Sequence, residues 1–219
     1  MWCIGKIDAE YRERMYDILD LYQEPYNPEK PVVGLDERPK QLLGEKRKSI
    51  PMKPGRPERH DYEYVRKGKV NVFVAVEPKA GKRVVEVTDR RTKQDFARFV
   101  KKLVDEHYQN AEPLRLVLDN LNTHNESSFY ETFDRGEAER ILSRIEFHYT
   151  PKHGSWLNVT EIEISAMNVE CTGKRIEDKG TLIREVQAWG KRRNKDEKKI
   201  DWRFTKRDAD RKLSKHYIT

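Results

Sequence analysis

The chain has 219 residues, of which 38% are charged and 36% hydrophobic, and its 45 Lys and Arg residues outnumber its 38 Asp and Glu residues. This length suits a single globular domain. A mean hydropathy of -0.99, with no apolar run near the ~18 to 20 residues that span a bilayer, excludes a transmembrane protein, so we expect a cytoplasmic one. Cys3 and Cys171 are too few for a disulfide framework or a cysteine-built zinc site.

The positive charge is concentrated in two blocks. Residues 38–70 contain 11 basic and 4 acidic residues, and residues 188–219 contain 12 and 5, which leaves the rest of the chain mildly acidic. A solvated lysine-rich loop would explain one such block. Two separate blocks around an acidic body favour a protein that binds nucleic acid.

The first half of the chain is predicted to contain one helix and three strands. Apolar residues at helical spacing predict an amphipathic helix over 8–23. The apolar run 31–35 predicts a buried strand that ends at Asp36, and prolines among basic residues predict an exposed loop over 44–60. Alternating residues in 64–76 and 83–87 predict a hairpin.

In the second half, predicted helices and strands alternate. Residues 96–108 have helical spacing behind Thr92, a predicted N-cap. The remaining predicted elements are a strand at 114–118, an amphipathic stretch at 126–142, a strand at 145–149, a helix from near Asn158 and a last helix over 180–193. This order predicts a mixed sheet with helices packed on it, an α/β arrangement.

Acidic residues follow two of these strands. Asp36 and Asp119 would lie together if their strands are neighbours, and Glu161 and Glu163 are candidates for a third acid. Because helix positions two apart point about 200° away from each other, only one of the two glutamates faces the site, and we choose Glu161, beside the preceding loop. Carboxylate oxygens suit Mg²⁺, and two such ions ~3.5 to 4 Å apart stabilise both the attacking and the leaving oxygen of a phosphoryl displacement.

Each acid also has an ordinary structural explanation. Asp36 precedes Arg38-Pro39 and is typical of a turn, and Asp119 with Asn120 is typical of an Asx turn. Glu161 stands three residues after Asn158, the spacing of a capping box. The joint placement of the three acids, two after strands and one at a helix start, favours the metal site.

Three segments resemble the catalytic motifs of DDE transposases. They read VGLDERPKQL over 33–42, LVLDNLNTH over 116–124 and YTPKHGSWLNVTE over 149–161. The match is to the bacterial insertion-sequence branch of the Tc/mariner superfamily, and it extends through DYEY over 61–64 and WRFT over 202–205. It therefore covers nearly the whole chain from the first helix onward.

The resemblance implies a fold and a domain order. The expected fold is an RNase H-like α/β domain with a mixed five-stranded sheet and helices on both faces. A linker helix over 1–28 would precede the catalytic domain over 29–194, and a basic tail over 195–219 would pack on that domain. The family usually places helix-turn-helix modules before the catalytic domain, so we expect a truncated or split gene product with a possible separate helix-turn-helix polypeptide.

The resemblance also implies an activity. Asp36, Asp119 and Glu161 match the family's catalytic, metal-binding acids, which would hold Mg²⁺ or Mn²⁺, with two ions expected. The implied reaction is DNA strand cleavage and strand transfer at transposon ends. The expected partners are transposon-end DNA and target DNA, and the protein is expected to form a homodimer in the DNA complex. The expected location is the cytoplasm of a prokaryote, in association with the nucleoid.

Other residues near the motifs have predicted supporting or DNA-contacting roles. They are Lys40 in the first motif, Asn120 and His124 in the second, and Lys152, His153 and Trp156 in the third. Lysines at such positions bind phosphates, an imidazole helps to move a proton, and Trp156 would stack on an unpaired base. The alternatives are a loop-stabilising histidine and a tryptophan that packs in the core.

Two other functions remain open from the sequence. A non-catalytic DNA-binding remnant would keep the fold and the basic blocks but cut no strand. A structure-specific nuclease of the same fold would cut without terminal repeats and would not join strands. The intact acid triad favours the catalytic interpretation over the remnant.

Overall fold

The computed structural model describes residues 5–59 and 61–218, so that Cys3 lies outside the described residues. The strands are β1 (Val32–Glu45), β2 (Tyr64–Glu77), β3 (Lys82–Thr88), β4 (Leu114–Leu118) and β5 (Ile145–Tyr149). The helices are α1 (Ala9–Gln23), α2 (Lys93–Lys102), α3 (Ser127–Tyr130), α4 (Arg135–Leu142), α5 (Thr160–Met167), α6 (Lys179–Lys195) and α7 (Lys206–Leu213). None of these described helices is long and apolar enough to cross a bilayer.

The described strands form a five-stranded mixed sheet in the order β3-β2-β1-β4-β5. β1, β2 and β3 pair antiparallel as a meander, whereas β4 pairs parallel with both β1 and β5. Parallel neighbours need crossover connections, which α2 and the α3–α4 region supply. The predicted mixed sheet is confirmed.

Helices cover both faces of the sheet, as predicted. On one face Leu35, Phe73 and Leu116 pack in a cluster with side chains of α2, α3 and α4. On the other face Val117 packs in a cluster with α1 and α7, and Val74 packs in a cluster with α5 and α6. Because side chains alternate along a strand, odd-numbered and even-numbered residues of β1 face opposite helical layers.

The strand that contains Asp36 is longer than predicted. β1 continues to Glu45 and pairs with β2 along this length, with Asp36 opposite Val74, so the predictions that the strand ends at Asp36 and that Asp36 lies in a turn are wrong. The predicted exposed loop is present, but it begins after Glu45. β1 pairs with β4 only through Val32–Gly34. Beyond Gly34 no described strand pairs with its other edge, so Pro39, which cannot donate a backbone hydrogen bond, is tolerated there.

The helical predictions agree closely with the structure. Thr92 caps α2 with a capping box completed by Asp95, and a π-helical turn over Leu103–His107 continues that helix. α7 was not predicted, because its apolar side is limited to Ala209 and Leu213. Both residues pack against α1, which joins the C-terminal segment to the start of the chain.

Candidate active site

Asp36 lies within β1, and Asp119 directly follows the parallel strand β4. Gly34 of β1 pairs with Val117 of β4, and each aspartate lies two residues beyond one member of this pair. Since paired residues on parallel strands point to the same face, Asp36 lies on the side of the sheet covered by α5, and Asp119 follows the end of the adjacent strand. The sequence argument that neighbouring strands would bring these acids together is correct, although β1 does not end there.

Gly34 allows α5 to begin directly against β1. A Cβ atom at position 34 would overlap the Thr160 hydroxyl and lie 2.8 Å from Val159 Cγ1. The Asn158 side-chain amide also donates to the Leu35 carbonyl at 2.9 Å, on the strand beside Asp36. These contacts place Glu161, on the first turn of α5, over the same part of the sheet as Asp36.

We expect Gly34→Ala to destabilise the fold and displace α5. Overpacking of this kind costs about 1–3 kcal/mol, and the displaced helix would carry Glu161 away from Asp36. Thermal unfolding and a DNA cleavage assay measure the two effects. Gly136→Ala is the matched control, because the nearest atom to a Cβ at that helical position lies 3.5 Å away; an equal response of the two variants would contradict the packing argument.

Asp36 lies among other negative charges. Its Oδ1 accepts a hydrogen bond from the Glu37 amide at 2.7 Å. Burial, followed by the charges of Glu37, Asp119 and Glu161, nevertheless raises the pKa of Asp36 to about 7. Three neighbouring carboxylates thus add repulsion at Asp36, and a bound cation would relieve that repulsion.

Asp119 is held by a buried histidine. Its Oδ1 accepts from His124 Nδ1 at 2.7 Å and from the Leu121 amide at 3.2 Å, so the Asx turn considered from the sequence does form. No described residue donates to Oδ2. Burial alone would raise the pKa of Asp119, but the contact with His124 lowers it below its ordinary value, which leaves an ionised oxygen available to a ligand.

His124 is itself fixed on its other side. Its ring nitrogen Nε2 lies 3.2 Å from Oε2 of Glu37, and Glu37 Oε1 accepts from Arg91 at 3.2 Å. Burial would lower the pKa of His124, but its ion pairs with Asp119 and Glu37 raise it to about 9. The imidazole is therefore a buried cation at neutral pH that orients Asp119. A part for His124 in proton transfer stays a prediction.

Glu161 and Glu163 have different environments. Glu161 is exposed, and its carboxylate makes no hydrogen bond or ion pair with any residue in the described ranges. Glu163 is fully buried, and its Oε1 accepts from Arg83 Nε at 2.9 Å and from Arg193 Nε at 2.8 Å. The buried pairing fixes the rotation of α5, and this arrangement supports the sequence-based choice of Glu161.

The capping-box alternative for Glu161 is wrong. The Asn158 side chain does accept from the backbone, but from the Thr160 amide at 3.1 Å, and its amide group is bonded to Leu35. The helix begins at Thr160, so Glu161 is its second residue and does not reach back to close a box. Its carboxylate is free to face the two aspartates.

The donor set fits a hard divalent cation. Within the ranges the structure describes, no group of three or more His, Cys, Asp or Glu side chains is arranged to hold a metal ion by itself. Mg²⁺ usually takes one or two protein carboxylates and keeps several waters or substrate phosphate oxygens, so a complete protein cage is not required. The mutual repulsion at Asp36 and the free Asp119 Oδ2 are the features that suit such an ion.

The stability of the metal-free protein should depend on pH through Asp36. Native Asp36 holds its proton up to pH about 7, against an ordinary pKa of 3.8, so raising the pH through this window destabilises the native state. In EDTA, we expect the melting temperature of wild type to fall relative to that of Asp36→Asn as pH rises from 4 to 8. Mg²⁺ at pH 8 should stabilise wild type and leave Asp36→Asn unchanged. A pH-independent difference would contradict the raised pKa.

Two of the predicted supporting residues have structural partners. Lys40 Nζ donates to the backbone carbonyls of Thr172 and of Lys174, the latter at 3.0 Å. The Asn120 side chain donates to the Thr150 carbonyl and accepts from Arg14 at 2.9 Å. The contacts of both side chains connect segments of the fold, and a direct role of either residue with DNA stays a prediction.

The other three lie on the loop between β5 and α5. Lys152 and His153 are exposed, and His153 has a left-handed backbone with φ of 65°. Trp156 is half-buried, and its Nε1 donates to the Tyr11 hydroxyl at 3.3 Å. The loop thus presents two basic side chains and an aromatic ring next to the helix that carries Glu161.

Sequence reasoning missed the residues that hold the acids in place. Glu37, Arg83 and Arg193 each make buried or half-buried ion pairs around the site. Glu37 adjoins Asp36 within the first motif, but the sequence predicts no role for its side chain. The partners of Glu163 lie 80 and 30 residues away in the chain, and only the tertiary fold brings them together.

The sequence matches the family described as DDE superfamily endonuclease over residues 31–183, well over half of the chain. A search of curated proteins gave no match. The Mos1 mariner paired-end complex with Mn is similar at a TM-score of 0.51 and 13% identity, covering 90% of this chain and 60% of that one. The Mos1 complex with Mg is similar at a TM-score of 0.53 and 14% identity, covering 92% and 60%.

The chain therefore spans about 60% of the length of these two structures. At this identity the likeness establishes the fold, which is the predicted RNase H-like α/β architecture. The family match covers the strands that carry Asp36 and Asp119 and the start of α5. This chain belongs to the DDE superfamily endonucleases.

Proposed function

We propose that this chain is the catalytic part of a transposase, which cuts a DNA strand in the presence of Mg²⁺ or Mn²⁺ and joins the resulting 3′ end to target DNA. The observation that supports the proposal is that the charges of Asp119, directly after β4, and of Glu161, on the first turn of α5, both act on Asp36 of β1 and, with burial and Glu37, raise its pKa. Family membership supports a nuclease of this general kind.

The residues of the chain have distinct roles in this proposal. Asp36, Asp119 and Glu161 would hold the metal, and His124 keeps Asp119 oriented through its 2.7 Å hydrogen bond. When bound, the divalent ions supply positive charge that stabilises the attacking and leaving oxygens of an in-line displacement. The protein's own contribution is positioning and charge compensation, so we expect no covalent link between the acids and DNA.

The basic segments would hold the DNA backbone. The loop over 46–59 is almost wholly exposed, and backbone bridges between Ile50 and Arg59 and between Lys53 and Arg56 shape it. Contacts of lysine and arginine with phosphates supply most of the salt-dependent affinity of such proteins. The Mos1 neighbours are paired-end complexes with Mn and Mg, and by analogy we propose transposon-end DNA, a dimer in the DNA complex and the same ions here.

Incubation with labelled DNA tests the proposal. The substrate carries the inverted repeats that flank the coding region, and a duplex of the same length with scrambled ends is the matched control. We expect cleavage and joined products with Mg²⁺ or Mn²⁺ and neither with EDTA. Binding without cleavage would favour the non-catalytic remnant. Cleavage of both duplexes without joining would favour the structure-specific nuclease, and either result would overturn the transposase proposal.

A further inference from the structure

An open cavity of about 620 Å³ lies beside the loop that leads to α5. Its volume falls within the ~300–1,000 Å³ typical of small-ligand sites. Residues from four separated segments line it, among them Ile7, Tyr11, Trp156, Phe204 and Leu213. Because these segments meet only in the folded chain, the cavity is a product of the tertiary structure.

Aromatic rings form much of the wall. The ring of Trp156 meets that of Phe204 edge to face at a centroid distance of 5.4 Å, and its Nε1 donates to the Tyr11 hydroxyl. Ile7 and Leu213 are buried beneath them. The three rings are thus held in place by packing and by a hydrogen bond, and each is only partly covered by protein.

The charged groups around the cavity are all basic. Lys6, Lys152 and Lys212 line it together with His153, and no acidic side chain belongs to the lining formed by the described residues. Lys212 Nζ lies 5.3 Å from the Phe204 ring centroid. By contrast, a neighbouring cavity beside Trp202 includes Asp201, and another beside α2 includes Asp89 and Asp95. The basic lining of the cavity beside Trp156 therefore suits an anionic ligand, and its aromatic rings suit a ligand with a flat apolar part.

From these features we infer that the cavity binds one unpaired nucleotide of the DNA substrate, with its base against Trp156 and Phe204 and its phosphates against Lys152 and Lys212. Bases stack on aromatic side chains irrespective of sequence, and basic grooves follow the backbone. The inference rests on the proposed function for the identity of the nucleic acid. It adds a site for a nucleotide outside the duplex, on the loop that precedes Glu161.

A binding assay without metal tests the inference apart from catalysis. Fluorescently labelled duplexes with a short 3′ single-stranded overhang and blunt duplexes of equal length are titrated with the purified chain in EDTA. We expect wild type to bind the overhang duplex about tenfold more tightly. Trp156→Leu should abolish that preference, whereas Trp156→Phe, which keeps a ring, should retain most of it.

Lysine variants test the phosphate contacts. Lys152→Ala and Lys212→Ala should each lower the slope of log affinity against log salt by about one unit for the overhang duplex. Lys102→Ala is the matched control, since Lys102 lies on α2 across the sheet and pairs with Glu86. An unchanged slope in both cavity variants would overturn the inference.

Photocrosslinking locates the nucleotide in wild-type protein and does not depend on whether a variant folds. With 5-iododeoxyuridine in the overhang, we expect cross-linked peptides that contain Tyr11, Trp156 or Phe204. Crosslinks confined to other segments, or equal affinity for the two duplexes, would overturn the inference. So would cavity variants that alter the oligomeric state and leave the overhang preference intact, because the cavity would then be an interface between copies.

The cleavage assay separates this failure from failure of the proposed function. Loss of the expected overhang preference alongside metal-dependent cleavage overturns the nucleotide site alone. Overhang binding with mapped crosslinks but no cleavage overturns the catalytic proposal and supports the nucleotide site.

Discussion

Asp119→Asn is expected to lower metal-dependent DNA cleavage by about 10²–10³-fold or more, the range found when one preorganised electrostatic contact with a transition state is lost. The amide removes the ionised Oδ2, which no described residue engages, but it retains an oxygen that can accept from His124 and Leu121. The fold should therefore survive. Metal-free DNA binding should be unchanged or tighter, because a negative charge near the phosphates is lost.

Cleavage of labelled DNA over a Mg²⁺ series, with gel-shift binding in EDTA, checks both parts of this prediction. Asp201→Asn is the control, since Asp201 is an exposed acid whose ion pair within the described part of the chain is with Arg203. Cleavage by Asp119→Asn at the wild-type rate would show that Asp119 is not a metal ligand.

Glu161→Gln and Glu163→Gln are expected to have opposite consequences, although the two residues share one helical turn. Glu161 is exposed and unpaired among the described residues, so Glu161→Gln should abolish cleavage and change stability by no more than about 0.5 kcal/mol. Glu163→Gln leaves two arginines without their buried counter-charge, which should cost about 3–5 kcal/mol.

Urea unfolding measures the stability of both variants, and the cleavage assay is run under conditions in which each is folded. The pair is its own control, because the chemical change is identical at the two positions. A stable Glu163→Gln variant without activity, beside an active Glu161→Gln variant, would reverse the assignment of the third acid.

The sequence was sufficient to predict where Asp119 and Glu161 would lie. The run Leu114–Leu118, apolar except for Arg115, ends abruptly at Asp119, which is the pattern of a buried parallel strand. Glu161 and Glu163 were separated by helix geometry alone, and the structure explains the choice because Glu163 points into the ion pairs with Arg83 and Arg193.

The length of β1 was not predictable from local pattern. Residues after Leu35 include Pro39 and several charged side chains, a composition that disfavours an interior strand. The strand persists because β2 pairs with it as far as Glu45, although no described strand pairs with its other edge beyond Gly34. Asp36 consequently lies within a strand, level with the end of the shorter β4.

Long-range contacts account for the rest of what the sequence did not reveal. The ion pairs of Glu163 and the cavity formed by Tyr11, Trp156 and Phe204 join side chains far apart in the chain. Each of these residues alone has an ordinary packing explanation. Their combined chemistry is visible only when the β5–α5 loop, α1 and the C-terminal segment are placed together.

The central claim is that Asp36, Asp119 and Glu161 share a divalent metal, and anomalous diffraction from crystals soaked in Mn²⁺ tests it most directly. We predict an anomalous peak within about 2.5 Å of carboxylate oxygens of Asp36 and Asp119, on the side faced by Glu161, that is absent from Asp119→Asn crystals. A manganese peak elsewhere with none between Asp36 and Asp119, or a peak at that position that persists in Asp119→Asn, would contradict the account.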